Sequence, residues 1–362
     1  MTTPTLVIAE AGVNHNGSLD LALDLVDAAA ECGADMVKFQ TFSAKALVTA
    51  SAPRAAYQEA NTGDAGSQLQ MLERLELTRE SHHALLERCA ARGIRFLSTP
   101  FDPGSLAFLA GEMALPVLKL GSSELTNAPL LVDAGRTGRG VILSTGMGTL
   151  AEVERALGAL AFGYHAPVDA EPNDAAFSDA WSKARDAGSL AEKVTILHCT
   201  TAYPTPPDGV NLMAIRTLRD AFGLPVGFSD HTTGTAAAVA AVALGATTVE
   251  KHITLDRNLP GPDHKASLEP PAFKALVDGI RTTETAMGDG IKAPLACELP
   301  NVPIARKSLV ARRAISAGTE FDAGNLVVMR PGDGRSPFDY WSLIGRPAKR
   351  DYAPGDLIDA SE

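Results

Sequence analysis

Two short apolar runs near residues 225 to 252 each end in a histidine: PVGFSDH closes on Ser229-Asp230-His231, and ATTVEKH closes on Glu250-Lys251-His252. If both runs are parallel strands joined by the helical stretch between them, a right-handed crossover makes them neighbours. The two imidazoles then leave the same sheet edge side by side. Two neutral imidazoles with otherwise open positions suit a Lewis-acid metal rather than a structural ion closed by four ligands. Completed by carboxylate and water they fit a Mn- or Fe-class ion, with Zn left open by ligand type alone.

Lys38 and Lys119 lie at the ends of runs that are otherwise apolar, ADMVKFQ and PVLKLGSS. With the hydroxyls of Thr99, Ser122 and Ser229, two ammonium groups at one site would hold a phosphate that carries a carboxylate. The competing expectation is an internal ion pair with Glu10 or Glu124, and both arrangements can coexist in the unliganded protein. No GxxxxGK[ST] loop accompanies the lysines, and GMGT after Ser144-Thr145 is too short for a nucleotide loop. Glu10, Glu124 and Glu250 are the candidate proton-transfer groups, because acids crowded around lysines and a metal have their pKa values driven apart. Spacing does not choose among them.

The elements that must position these groups recur along the chain. TLVIAEAG reads as a buried strand, and Ser18 caps an amphipathic helix that Gly33 closes. The same helix, glycine and strand return as HHALLERCAARG then IRFLSTP, and as AAAVAAVALG then ATTVEKH. Strands are expected to begin near Leu6, Asp35, Ile94, Val117, Val141, Val194, Pro225 and Thr247. Eight such units of near-continuous apolar strands point to an α/β fold with a closed (β/α)8 TIM barrel, although strand count alone also fits an open doubly wound sheet. Each run turns polar at its C-terminal end, so Glu10, Lys38, Gln40, Ser98, Thr99, Lys119, Ser122, Glu124, Ser144, Thr145, His198, Thr200, Ser229, His231, Glu250 and His252 are expected at one barrel mouth. Two gaps exceed what a helix needs. Residues 42 to 77 are expected to form a loop with a short extra helix over the mouth, and the polar stretch at about 163 to 190 a surface excursion.

The 362 residues carry a formal net charge of −11, which leaves no phosphate-neutralising excess for a nucleic-acid partner. Cys32, Cys89, Cys199 and Cys297 are scattered and read as reduced thiols of a cytoplasmic protein. The N-terminus lacks the pattern of a signal peptide, and no run is long and apolar enough for a membrane.

The periodicity changes after about Gly290. ARRAISAGTEF is echoed by AKRDYAPGDLI, and short β-rich segments with Gly and Pro suggest a small second domain of pseudo-twofold strands. The expected division is a barrel over 1–290, a linker over 291–303 and the small domain over 304–362.

The motifs IAEAGVNHNG, ADMVKFQTF, IRFLSTPFD, KLGSSELTN, VILSTGMGT, LHCTTAYPTP, GFSDHT and EKHITLDRNLPGPDHKASLEP together resemble the sialic acid synthases, and the tail with RPGDGRSP resembles their antifreeze-like SAF domain, a β-clip fold. The likeness covers nearly the whole chain. Tyr57-Gln58 and Asn61-Thr62-Gly63, with the EKHITLDRNLPGPDHKASLEP segment, look most like bacterial synthases of N-acetylneuraminate and N,N'-diacetyllegionaminate.

That resemblance implies condensation of phosphoenolpyruvate with an N-acetylated mannosamine-type sugar and water, giving a nine-carbon 2-keto acid and phosphate. It implies His231 and His252 as ligands of a divalent metal, Mn(II) first with Mg(II) or Co(II) as alternatives, and Glu10 as the acid/base group. Lys38, Thr99, Lys119, Ser122 and Ser229 fall where the family holds phosphoenolpyruvate. Gln40, Glu124, Tyr203, Glu250 and Asp263 fall where it holds the sugar, and Arg330 resembles the arginine that reaches the sugar from the partner subunit of a domain-swapped homodimer. The chain departs from the family's GSGE by Ser123, from an asparagine at Thr201, and from RPGTGISP in the tail. A pseudaminate-type or other phosphoenolpyruvate-condensing synthase is the nearest alternative. A metal-dependent barrel hydrolase would want paired HxH ligands on an early strand, which are absent. An ice-binding surface would want many threonines, whereas Thr319 is the sole one from residue 304 onward.

Overall fold

The computed structural model describes residues 4–55, 59 and 66–362; Tyr57, Gln58, Asn61, Thr62 and Gly63 lie outside the described residues. The chain divides into two compact units, Met1–Gly288 and Asp289–Glu362.

The first unit is an eight-stranded parallel barrel. Its strands are β1 (Leu6–Gly12), β2 (Met36–Thr41), β3 (Arg95–Pro100), β4 (Val117–Leu120), β5 (Gly140–Ser144), β6 (Val194–Cys199), β7 (Val226–Asp230) and β8 (Thr248–His252). Each begins within one residue of its expected position. Hydrogen-bonded neighbours run β3-β2-β1-β8-β7-β6-β5-β4, and β3 lies against β4 without a ladder, which closes the ring. The open-sheet alternative therefore falls, since β1 pairs with both β2 and β8.

Strand alternation explains why the mouth is polar and the floor is not. Ile8, Met36, Leu97, Ile142 and Leu197 form an apolar cluster inside the barrel. Glu10, Lys38, Thr99, Ser144 and Cys199 each stand two positions further along the same strands and share the inward face. At the corresponding floor position of β7 is Gly227, where an added Cβ would come within 2.5 Å of the Leu197 side chain. Residues at odd steps face outward, which corrects the expectation that all strand-end polar groups converge. Ser98 bonds the Thr41 hydroxyl at 2.7 Å, and that hydroxyl bonds His82 Nε2 at 2.8 Å. His198 Nε2 donates to the Val210 carbonyl at 2.7 Å, and its ring stacks on Phe228. The hydroxyls of Thr145 and Thr200 are likewise spent on the Leu197 and Gly209 carbonyls.

Of the two long gaps, the first carries short helices beside the mouth, close to the expectation, and the second departs from it. Among the described residues the first carries two short helices, Ala44–Leu47 and Gln68–Glu73, the latter closed by a Ser67/Gln70 capping box. Met71, Leu72 and Leu75 pack with Val13 and Phe42 beside the mouth. The second gap is no excursion. Asn173 caps a helix, Asp174–Ala187, that Gly188 ends in a left-handed conformation. Its face of Phe177, Trp181 and Ala184 is buried, with Trp181 edge-on to Phe222.

The second unit holds an antiparallel pair, β9 (Ser308–Ala311) and β10 (Leu326–Met329), and a core that includes Leu309, Ile315, Phe321, Ala348, Tyr352 and Ile358. The sequence echo is a structural one. Ile315 N donates to the Tyr352 carbonyl at 2.9 Å and Tyr352 N to the Ile315 carbonyl at 2.8 Å. Gly318 N to the Ala348 carbonyl, 2.7 Å, is matched by Gly355 N to the Ala311 carbonyl, 2.8 Å. The two halves thus satisfy one another's backbone groups about a pseudo-twofold axis.

Candidate active site

A cavity of about 460 Å³ opens at the C-terminal end of the barrel. It is lined by Glu10, Lys38, Gln40, Thr99, Lys119, Ser122, Glu124, Tyr203, Ser229, His231, Glu250, His252 and Asp263. Those are all the expected site residues except Arg330, which belongs to the second unit, where its Nε donates to the Ala305 carbonyl at 3.2 Å.

Charge is concentrated at the bottom of the cavity. Lys38 Nζ lies 2.5 Å from Glu10 Oε2 and 3.7 Å from Glu250 Oε2, and donates to Thr99 Oγ1 at 3.1 Å. Lys119 Nζ lies 3.6 Å from Glu250 Oε1 and donates to Ser144 Oγ at 2.8 Å. Glu250 therefore sits between both ammonium groups and also accepts from Ser229 Oγ at 2.8 Å. The internal ion pairs expected of the lysines are real, but their partners are Glu10 and Glu250. Glu124 is held elsewhere, by Ser123 Oγ at 2.9 Å and Asn127 Nδ2 at 2.7 Å. The departure at Ser123 thus has a physical consequence, an added donor to Glu124.

The acids are driven apart. Burial pushes Glu10 up to about 7, against the pull of Lys38 and with the help of Glu250. Glu250 is equally buried, yet Lys119 and Lys38 together bring it down to about 2. Burial also raises Asp263 to about 6. Burial lowers Lys119, whereas Lys38 is raised because Glu10 and Glu250 outweigh its burial. Two acids of one cavity are thus driven in opposite directions, Glu250 down by the two lysines and Glu10 up by burial.

The two histidines stand together, ring centroids 5.6 Å apart. His231 Nδ1 donates to the Thr200 carbonyl at 2.7 Å, which fixes the tautomer and leaves Nε2 as the lone-pair nitrogen. His252 is buried, and its Nδ1 has no protein partner. Burial lowers both imidazoles, His252 well below the usual histidine range, so both are neutral. Tyr203 lies against His231 with the rings tilted by 37° and centroids 4.2 Å apart, and meets His252 edge-on at 5.9 Å. Neutral paired imidazoles, one oriented by a carbonyl and one with an orphaned nitrogen, fit a metal ion. Among the described residues no group of three or more His, Cys, Asp or Glu is placed to hold a metal ion.

Ser144, expected at the mouth, is joined in the site by Cys199, which was not expected there. Both line the cavity, Ser144 as the hydroxyl partner of Lys119 and Cys199 with its Sγ 3.2 Å from Ser122 Oγ. The inward period shared with Ile142 and Leu197 is the signal that finds them.

Buried lysines facing carboxylates beside neutral imidazoles, all at the C-terminal mouth of a closed parallel barrel, define a barrel enzyme built for an anionic substrate. The chain belongs to the NeuB family, which residues 25–292 match, and residues 306–362 match the SAF domain. It is 45% identical to an N,N'-diacetyllegionaminic acid synthase of Campylobacter jejuni over 98% of each chain. It is 41% identical to a protein of the same name from Legionella pneumophila, over 97% of this chain and 92% of that one. The crystal structure of an N-acetylneuraminic acid (sialic acid) synthetase from Leptospira borgpetersenii, in complex with citrate, superposes with a TM-score of 0.66 at 31% identity, covering 83% of this chain and 90% of that one. No helix among the described residues is long and apolar enough to cross a membrane.

Proposed function

We propose that this chain condenses phosphoenolpyruvate with 2,4-diacetamido-2,4,6-trideoxymannose and water, releasing phosphate and N,N'-diacetyllegionaminate. The observation that carries the reading is the pairing of Lys38 and Lys119 with Glu10 and Glu250 in one cavity with two neutral imidazoles. The choice of the diacetamido sugar over N-acetylmannosamine rests on the two diacetyllegionaminate synthases at 45% and 41% identity.

Lys38 and Lys119, with Thr99, Ser122 and Ser229, receive the phosphate and carboxylate of phosphoenolpyruvate, which exchanges their internal carboxylate contacts for those of the substrate. Gln40, Glu124, Tyr203, Glu250 and Asp263 line the sugar side. A divalent metal held by His231 and His252, Mn(II) with Mg(II) or Co(II) as substitutes, would supply Lewis-acid polarisation of the sugar aldehyde. The C3 carbon of phosphoenolpyruvate forms the new bond to the aldehyde carbon, leaving a cation at C2. Glu10, ionised, takes a proton from the water that adds at C2, and that proton passes to the former aldehyde oxygen to complete the new hydroxyl. The tetrahedral adduct then breaks its C2–O bond to phosphate, the second water proton leaving with the phosphate as the C2 carbonyl of the keto acid forms.

The working form in this reading is a cytoplasmic homodimer in which each SAF domain covers the partner's barrel and brings Arg330 to the sugar. Arg330→Ala then raises the KM for the sugar at least about tenfold, the worth of one charge-assisted hydrogen bond, and leaves that for phosphoenolpyruvate nearly unchanged. Steady-state kinetics with each substrate varied in turn checks this, and equal effects on both would remove Arg330 from the sugar site. Initial rates with the two aldehydes test the substrate. Faster turnover of the diacetamido sugar is expected, and a preference for N-acetylmannosamine would reassign the product to N-acetylneuraminate.

A further inference from the structure

Directly behind the histidine pair lies an ion pair with no solvent exposure on either side chain, Lys251 Nζ to Asp230 Oδ2 at 2.9 Å. Each of these residues immediately precedes one of the histidines, and strand alternation turns both away from the mouth cavity, which neither lines. The ammonium also donates to the Thr232 carbonyl at 2.5 Å, while Thr232 N donates to Asp230 Oδ1 at 2.8 Å. Lys251 therefore grips the residues on both sides of His231 from its place beside His252.

The backbone ladder shows what this grip is for. The β7–β8 register runs Phe228↔Val249, Ser229↔Glu250 and Asp230↔Lys251, and stops there. His252 remains fixed by β1, opposite Glu10. His231 lies one residue past the end of its strand, where no ladder holds it to β8. A buried ion pair adds little net stability over apolar side chains of similar size, so stability alone is a poor account of a lysine there.

We propose that Lys251, with Asp230 and Thr232, is a positioning group that sets the separation of His231 and His252 and thereby the affinity of the pair for a divalent cation. The inference rests on the metal-binding reading of the two histidines. It differs from a structural role because it acts on metal affinity beyond any effect on folding.

The test is a Mn(II) titration of the full chain, with free ion read by electron paramagnetic resonance, on wild type, Lys251→Met, the double variant D230N/K251M and His252→Ala. The single variant leaves Asp230 buried without its counter-charge. The double variant removes both charges and keeps an acceptor for Thr232 N, so it folds where the single one does not. Circular dichroism melting verifies the fold of each. The expected result is a folded double variant whose Mn(II) dissociation constant rises about tenfold or more, with phosphoenolpyruvate binding in metal-free buffer unchanged. A folded double variant that binds Mn(II) within about twofold of wild type, while His252→Ala loses binding, overturns the positioning role alone. Wild type that binds no Mn(II) overturns the metal reading and this inference with it.

Discussion

Glu10→Gln lowers kcat by about 10²- to 10⁴-fold, the range that a positioned proton-transfer group supplies, while the melting temperature stays close to that of wild type. The amide keeps the size of the carboxyl and an acceptor for Lys38, so the loss is chemical rather than structural. The pH dependence gives the assignment its sign. Burial places Glu10 near 7, and the ionised form is the one that accepts a proton from water. Wild-type kcat/KM therefore climbs as pH rises through about 7, and the residual activity of Glu10→Gln lacks that limb. Asp263, raised by burial to about 6, is the competing source of such a limb. Asp263→Asn that keeps the ionisation near 7 leaves it with Glu10, whereas its loss would transfer the role.

His252→Ala lowers turnover by about 10³-fold or more, since a metal's polarisation of a carbonyl contributes several kcal/mol to the transition state. The Mn(II) response of the remaining activity disappears. The imidazole Nδ1 has no protein partner, so removing the ring strands no hydrogen bond and the barrel stays folded. Rates before and after chelation, with melting curves alongside, read both parts. A variant with undiminished, Mn(II)-stimulated turnover would remove His252 from metal binding.

Much of this was legible because parallel strands are buried on both faces and change character only at their ends. The strand starts followed from apolar runs such as TLVIAEAG and ADMVKFQ, and the glutamate, lysines and histidines at their ends pointed to one mouth. What was missed is a matter of period and of partner. Ser98 and His198 looked like mouth residues because a strand end was read as a unit, whereas alternate side chains turn to opposite faces; His198 stacks on Phe228, away from the cavity. The same alternation hid Asp230 and Lys251, which stand between residues that were noticed. The helix at Asp174–Ala187 was obscured by the polar, proline-containing approach to it, although Asn173, Phe177, Trp181 and Gly188 form a capped amphipathic pattern. The repeat in the tail was readable since paired halves need the same buried positions, as Ala311 and Ala348, or Ile315 and Tyr352, demonstrate. Which carboxylates pair with the lysines could not be read, because Glu250 reaches Lys38 and Lys119 across a barrel whose radius no sequence spacing encodes.

In the proposed reaction one cavity joins an enol phosphate to a sugar aldehyde. Phosphorus NMR of the purified chain with phosphoenolpyruvate, Mn(II) and 2,4-diacetamido-2,4,6-trideoxymannose tests it most directly, with mass spectrometry of the organic product. Inorganic phosphate is expected to be released in step with a nine-carbon keto acid, and none when the aldehyde is omitted. Phosphate released equally without the aldehyde, or none with either aldehyde, would contradict it.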